Sequence, residues 1–496
     1  MAVPASTTSR PGPRSIAGTG AILAFVCMGQ FMVFIDVSIV NLALPSIQRS
    51  LGISSVSLNY VITAYATVLG GFLLLSGRLA DAFGRRRMLR LGFVVFALAS
   101  LASGLAQTGT MLITARGFQG FGSSMIATAA LSILTSTFAE GPERNKALGV
   151  WGSLSGVASI LGVILGGVLA GGPGWQWIFW INIPIGLVLA LLAPRVLPES
   201  VSDERRRPFD TGGAVTLTGG LLLLIFTLGE ATTVGWGTVR TVGSLVGVAC
   251  MLVSFVVIES RAKSPMIPLQ VFRLRTMRTA NISAVLIYGT FSAMFFFVSI
   301  FMQQVYGLSP MKAGFAYVPL AFCVATGAWL ASVLITHLAA RPVLISGLVA
   351  TVAGLLLIWR APASGSYLVD LLVPFVLLGL GCGMVLVTLQ IAAFVGVRNE
   401  DAGVGAGLIN TSQEAGGALG LAVVATVAYS GFAAKLTAAG GRPALVHSAQ
   451  ASAAHLAFLT DAGIGVVALI IAVLVMPSAT VIPQKASTGT ETDPGK

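Results

Sequence analysis

The stretch GFLLLSGRLADAFGRRRMLRLG, residues 71–92, ends one apolar run, turns through GRLADAFGRRR (77–87) and enters another. Gly77 and Gly84 permit a tight turn and a close approach of helices. Asp81 sits among Arg78, Arg85, Arg86 and Arg87. There it can bridge helix ends while the basic side chains anchor at lipid headgroups. A turn this short and this charged, between runs of about 20 apolar residues, reads as a loop at a membrane face.

Outward from this loop the pattern repeats. Apolar segments fall at about 17–45, 57–77, 87–107, 109–135, 146–171, 175–194 and 211–230, then at about 241–259, 279–304, 312–336, 341–360, 367–391, 402–431 and 458–477. That predicts fourteen spans, numbered here in chain order, in an all-α polytopic membrane protein. The composition agrees: 55% of the 496 residues are hydrophobic and 9% are charged, against roughly 25% charged in a soluble domain. So few charges cannot cover a soluble surface of this size. Long uncharged runs also exclude a transmembrane barrel, whose strands alternate. Cys27, Cys250, Cys323 and Cys382 lie singly in separate runs, and His337, His447 and His455 form no cluster. Neither a disulfide framework nor a metal site is expected.

The basic residues set the orientation. With the amino terminus in the cytoplasm, cytoplasmic segments hold 22 of the 29 Lys and Arg, among them Arg205, Arg206, Arg207, Arg273, Arg275 and Arg278. Six basic residues fall outside, and Arg116 falls within a span. This is the positive-inside pattern, and an even span count puts both termini in the cytoplasm. The net charge of +12 follows the inner leaflet, so no nucleic-acid partner is called for. The first span is too long for a cleaved signal and carries Asp36.

The opening stretch recurs. Laid without gaps on GAWLASVLITHLAARPVLISGL (327–348), it matches Gly71 to Gly327, Ser76 to Ser332 and Arg85 to Arg341. This joins the loop after span 2 to the loop after span 10, eight spans apart. Two repeats of six would give six, so spans 7 and 8 read as an insertion between halves. Such repeats are a transporter architecture with a site at the midplane between halves. The implied divisions are a tail at 1–16, one six-helix half at 17–194, linkers and two extra spans at 195–278, a second half at 279–477 and a tail at 478–496. The segment 432–457 reads as an outer loop of modest polarity with room for a short helix.

The loop at 77–87 resembles the signature loop of the major facilitator superfamily, a latch that stabilises the gate between helices. FIDVSIVNLALPSI (34–47), RGFQGFGSS (116–124), GVASILGVILGG (156–167), GWQWIFWINIPIG (174–186) and GLINTSQEAGGALGLAV (407–423) resemble, in order, motifs of its fourteen-helix drug:proton antiporters, the EmrB/QacA-type multidrug exporters. The resemblance implies the major facilitator fold, a gating role for Gly77, Arg78, Asp81, Gly84, Arg85 and Arg86, and a fourth-span motif in Arg116, Gln119 and Gly120. Span 5 departs from the family in having Gly162-Val163 where Gly-Pro is usual. Gly162, Gly166 and Gly167 still allow close packing. Span 13 carries Glu414 where the family more often has an amide.

Charges at membrane depth are costly and face a cavity or a partner. Three are expected. Asp36 lies about 13 Å from the outer end of span 1, Arg116 roughly 10 Å into span 4, and Glu414 roughly 18 Å into span 13, at about 1.5 Å per residue. Asp36 and Arg116 could meet at one level. Burial and a neighbouring arginine act on an acid's proton affinity in opposite senses, so a change in their separation would couple protons to transport. The other reading is a static pair that fixes packing; Glu414 is equally a packing residue or a proton or cation site. Met294, Phe295, Phe296, Phe297 and Met302 face a drug pocket, lipid or core. Trp175, Trp177 and Trp180 read as interfacial anchors.

The expected function is a proton-coupled exporter of small amphipathic or cationic drugs, in a bacterial cytoplasmic membrane. The alternative is a dedicated exporter of one endogenous metabolite or self-made antibiotic. No GxxxxGK[ST] loop is present, so the proton gradient, with no cofactor, is the expected energy source. An enzyme is not expected, since no polar catalytic cluster gathers at one membrane face. The partners are protons, the small-molecule substrate and membrane lipids, and the chain reads as a monomer.

Overall fold

The computed structural model describes residues 18–53, 55–199, 210–262, 267, 275–308, 310–395, 397, 402–438 and 446–476. Its helices are α1 Thr19–Leu51, α2 Ser55–Phe83, α3 Arg85–Gly104, α4 Gly109–Thr137, α5 Pro142–Gly171, α6 Trp177–Trp180, α7 Asn182–Val196, α8 Thr211–Val234 and α9 Val239–Arg261. There follow α10 Arg275–Ile300, α11 Pro310–Ala316, α12 Val318–His337, α13 Ala340–Trp359, α14 Leu372–Phe394, α15 Ala402–Ala438 and α16 Val446–Val475. Single π-helical turns, Phe301–Val305 and Tyr367–Leu371, extend α10 and precede α14. Thirteen stretches among the described residues are long and apolar enough to cross a membrane, and α5, with 30 residues, makes fourteen. Span 6 is α6 with α7, and span 10 is α11 with α12.

Local chemistry sets the helix ends. Gly84, at φ 103°, breaks α2 from α3 in a backbone conformation that suits glycine. Thr108 caps α4 by accepting from the Met111 amide at 3.2 Å, which makes the short gap between spans 3 and 4 a real turn.

The internal repeat is visible in the packing. Within the first half α1 lies on α5 and α2 on α4; within the second, α10 lies on α15 and α12 on α14. Across the halves the pairing is reciprocal, α2 with α15 and α12 with α5. Every correspondence is eight spans apart, as the aligned loops require. The inserted α8 packs on α2 and α15 at the seam and on α9. Val242, Val246, Val253 and Val256 leave an exposed apolar face on α9, as a lipid-facing helix would.

Two expectations need correction. The segment 432–457 is mostly helix: α15 continues to Ala438 and α16 begins at Val446. The stretch HSAQASAAH is too polar for a hydropathy reading, yet alanine is the best helix former, and Ser452 returns its hydroxyl to the Ser448 carbonyl at 2.9 Å. In consequence Asp461, near the start of the span expected at 458–477, sits midway along a 30-residue helix and is 1% exposed. It is a fourth charged residue type at membrane depth.

The tryptophans are also mixed rather than uniformly interfacial. Trp175 is buried edge-to-face on Phe179, whereas Trp177 is exposed. Met294, Phe297 and Met302 are core, while Phe295 and Phe296 are partly exposed.

Candidate functional site

Asp36 on α1 is fully buried and accepts hydrogen bonds from three side chains. Arg116 Nη1 on α4 donates to its Oδ2 at 2.6 Å; Gln119 Nε2, one turn along α4, donates to Oδ1 at 2.7 Å; Asn182 Nδ2 on α7 donates to Oδ1 at 3.0 Å. The network closes on itself. Arg116 Nη1 also donates to Gln119 Oε1 at 2.7 Å, Gln119 Nε2 to Ser100 Oγ on α3 at 2.9 Å, and Arg116 Nε to the Val61 carbonyl of α2 at 3.3 Å. The Arg116 guanidinium lies 4.2 Å from the Tyr65 ring centroid, a cation–π contact. A buried ion pair persists when further hydrogen bonds support it; here Asp36 has two more donors and Arg116 Nε and Nη1 two more acceptors.

Small residues let the helices approach. A side chain at Gly120 would collide with the backbone of Tyr65, and one at Gly122 would come within 2.7 Å of the Phe96 amide. Gly162 of α5 meets Ser38 of α1 in the same way, at 2.5 Å from an added Cβ. Gly166 is buried, and the surroundings of Gly167 lie outside the described residues.

Arg116 has a second face. A cavity of about 100 Å³ at the seam is bounded by Val37, Val40, Ile62 and Leu69, with Tyr65, Arg116 and Glu414 as its polar wall. Glu414 comes from α15, in the other half, and packs against Gly70 of α2. Among the described residues its carboxylate has no hydrogen-bond or ion-pair partner. The structure thus brings Asp36, Arg116 and Glu414 into one neighbourhood, with Arg116 in contact with Asp36 and lining the space that Glu414 faces. Drug-sized pockets run to roughly 300–1,000 Å³, so a drug would enter only after this space widens.

The arginine-rich loop forms a separate contact between halves. Asp81 Oδ1 accepts from the Gly403 amide at 3.1 Å and Oδ2 from the Val404 amide at 2.9 Å, at the amino end of α15. Those amides lack intrahelical partners, and the helix dipole favours an acid there. Arg85 holds the same carboxylate through Nε at 3.2 Å and Nη2 at 3.1 Å. Gly77 packs directly on Gly403, where a side chain on either would collide with the other helix. Arg78 is buried. Arg86 is no lipid anchor: it donates to the Leu197 carbonyl at 3.1 Å and to Glu199 Oε2 at 3.2 Å, stapling the end of α7. Arg87 is the exposed member of the run.

Sequence reasoning did not single out Tyr65, Ser100 or Asn182. Asn182 stands within GWQWIFWINIPIG, and an amide in so apolar a run was the available signal. Among the described residues no group of three or more His, Cys, Asp or Glu is placed to hold a metal ion.

Two six-helix halves, an inserted helix pair and a small cavity at the seam, mostly apolar but holding Arg116 and Glu414, define a membrane transporter. Residues 26–421 match the Major Facilitator Superfamily model, and the chain belongs to that superfamily. It is 37% identical to the puromycin resistance protein pur8 of Streptomyces alboniger, over 88% of this chain and 86% of that protein. It is also 37% identical to the cephamycin export protein CmcT of Amycolatopsis lactamdurans, over 86% and 88%. The fold matches the crystal structure of the human organic anion transporter MFSD10 at a TM-score of 0.68 and 16% identity, covering 92% of this chain and 99% of that one. These relatives make this a multi-span protein of the bacterial exporter type, which implies the plasma membrane.

Proposed function

We propose that the protein is a proton-coupled antiporter that exports small amphipathic or cationic drugs from the cytoplasm by alternating access. The observation that carries this reading is the position of Arg116, which pairs with Asp36 on one side and lines the cavity that holds Glu414 on the other. A cationic drug arriving from the cytoplasm pairs with Glu414, while Arg116 stays on Asp36 and keeps it ionised. After the halves rock, a proton from outside neutralises Asp36 and frees Arg116. The guanidinium then turns to Glu414 and displaces the drug outward. Return to the first state transfers the proton from Asp36 to cytoplasmic water as Arg116 reclaims the carboxylate. At this pair one proton is exchanged in each cycle, and Tyr65, stacked on Arg116 and lining the cavity, links the two events.

The latch supports the gating half of the reading. The basic end is taken as cytoplasmic, with both termini there, and residues 17–194 and 279–477 as the rocking halves around the inserted spans. Asp81, Arg85 and the Gly77–Gly403 contact hold the cytoplasmic gate shut, with Gly84 setting the turn and Arg78 and Arg86 bracing it. The chain acts as a monomer.

The test is drug accumulation in cells carrying the wild type or Asp36→Asn, across cationic and neutral antibiotics. Loss of efflux with undiminished protein in the membrane is expected; full efflux by Asp36→Asn removes Asp36 from the mechanism. A second reading, a dedicated exporter of one antibiotic, draws on relatives named for puromycin resistance and cephamycin export. A resistance profile confined to one compound would select it.

A further inference from the structure

The repeat brings a second acid into view. In the first half, spans 1, 4 and 6 (α1, α4 and α7) supply Asp36, Arg116 and Asn182 to one buried point. Their counterparts eight spans on are α10, α14 and α16. Asp461 of α16 is 1% exposed, and the hydroxyl of Thr290 on α10, itself 2% exposed, faces it. No hydrogen bond closes between them, so both carboxylate oxygens and the Thr290 hydroxyl are buried without a partner. Cys382 of α14 is the titratable side chain facing this point. On α16 itself His455 is committed to the Ala361 carbonyl at 2.9 Å, and the one basic side chain of α13, Arg341, lies at its terminal turn. Helix α14 contains no Lys or Arg, so no counterpart of Arg116 exists.

An ionised carboxylate with neither counter-charge nor donor is not sustained in so apolar a setting; it takes up a proton instead. Tyr288 of α10 is within electrostatic reach of both Glu414 and Cys382, and Cys382 of Asp461.

We propose that Asp461, with Thr290, is a second proton-binding site, located in the C-terminal half at the point equivalent to the Asp36 centre. It holds its proton while the cytoplasmic latch is closed and releases it when the halves rock and water reaches α16. The wild type therefore moves one more proton per drug molecule than the Asp36 centre alone provides. This rests on the antiport reading above.

Two measurements test it on the full-length protein in liposomes. Infrared spectra in heavy water are expected to show a protonated-carboxyl band at neutral pD that Asp461→Asn removes; identical spectra would overturn the proposal. Proton and drug fluxes measured together are expected to lose one proton per drug in Asp461→Asn, whereas an unchanged ratio would overturn the proposal and leave antiport intact. Absence of any proton flux in the wild type would instead overturn the antiport reading. Should Asp461→Asn be inactive, Thr290→Val decides. It keeps the carboxyl and is expected to shift the pD at which the band is lost, and a band that never responds to pD would overturn the proposal.

Discussion

Asp36 and Asp461 occupy corresponding points of the two halves and are held in opposite ways. Three donors converge on Asp36, and a buried arginine balances its charge. At Asp461 the same three helices bring a threonine and a cysteine, and no oxygen of the carboxylate is bonded. One half keeps a bonded ion pair; the other keeps a buried acid whose carboxylate oxygens have no partner. A repeat that keeps its helix packing has thus been filled with different chemistry, which in the proposed cycle gives one fold two kinds of proton site.

The sharpest way to break this comparison is to remove each acid. Asp36→Ala leaves Arg116 buried without a counter-charge, so it is expected to abolish efflux and to cost about 3–5 kcal/mol of stability. Asp461→Asn replaces a neutral acid by a near-isosteric amide, and its thermal unfolding in nanodiscs is expected to stay within about 1 kcal/mol of the wild type. Equal losses at both positions would erase the distinction.

The latch gives the next effect. Asp81→Ala deprives the α15 amides and Arg85 of their acceptor, worth about 1.5–3 kcal/mol for bonds to a charged group. Distances between spin labels on the two halves are expected to shift toward states open at the basic end. Glu414→Gln should follow, raising the KM for cationic drugs about tenfold, or about 1.4 kcal/mol, with neutral drugs unaffected. Tyr65→Phe is expected to be smallest. It keeps the ring on Arg116 and loses the bond to Ser123 Oγ at 2.8 Å, about 0.5–1.5 kcal/mol, read out as a modest rise in KM.

Much of this was legible in the amino-acid order because bilayer physics writes large signals. Span number and the eight-span repeat follow from apolar runs and one recurring loop. The meeting of Asp36 with Arg116, and the depth of Glu414, follow from counting residues along helices. What escaped has identifiable causes. Asp461 was hidden because the first three turns of α16 are rich in alanine, serine and histidine, which fold as helix without looking apolar. The partners of Asp81 were hidden because they are the backbone amides of Gly403 and Val404, which no side-chain pattern announces. Ser100 and Asn182 were hidden because they reach Asp36 and Gln119 only through tertiary packing. Arg86 was misjudged because a basic residue near a membrane face looks like a lipid anchor until the end of α7 is placed beside it.

The central claim is that export is driven by protons exchanged at the Asp36–Arg116 pair. Everted membrane vesicles test it directly, by following accumulation of a cationic drug before and after the proton gradient is collapsed. The account predicts that the accumulated drug runs out on collapse in the wild type and that Asp36→Asn vesicles never accumulate it. A drug gradient that persists unchanged after collapse would contradict the account.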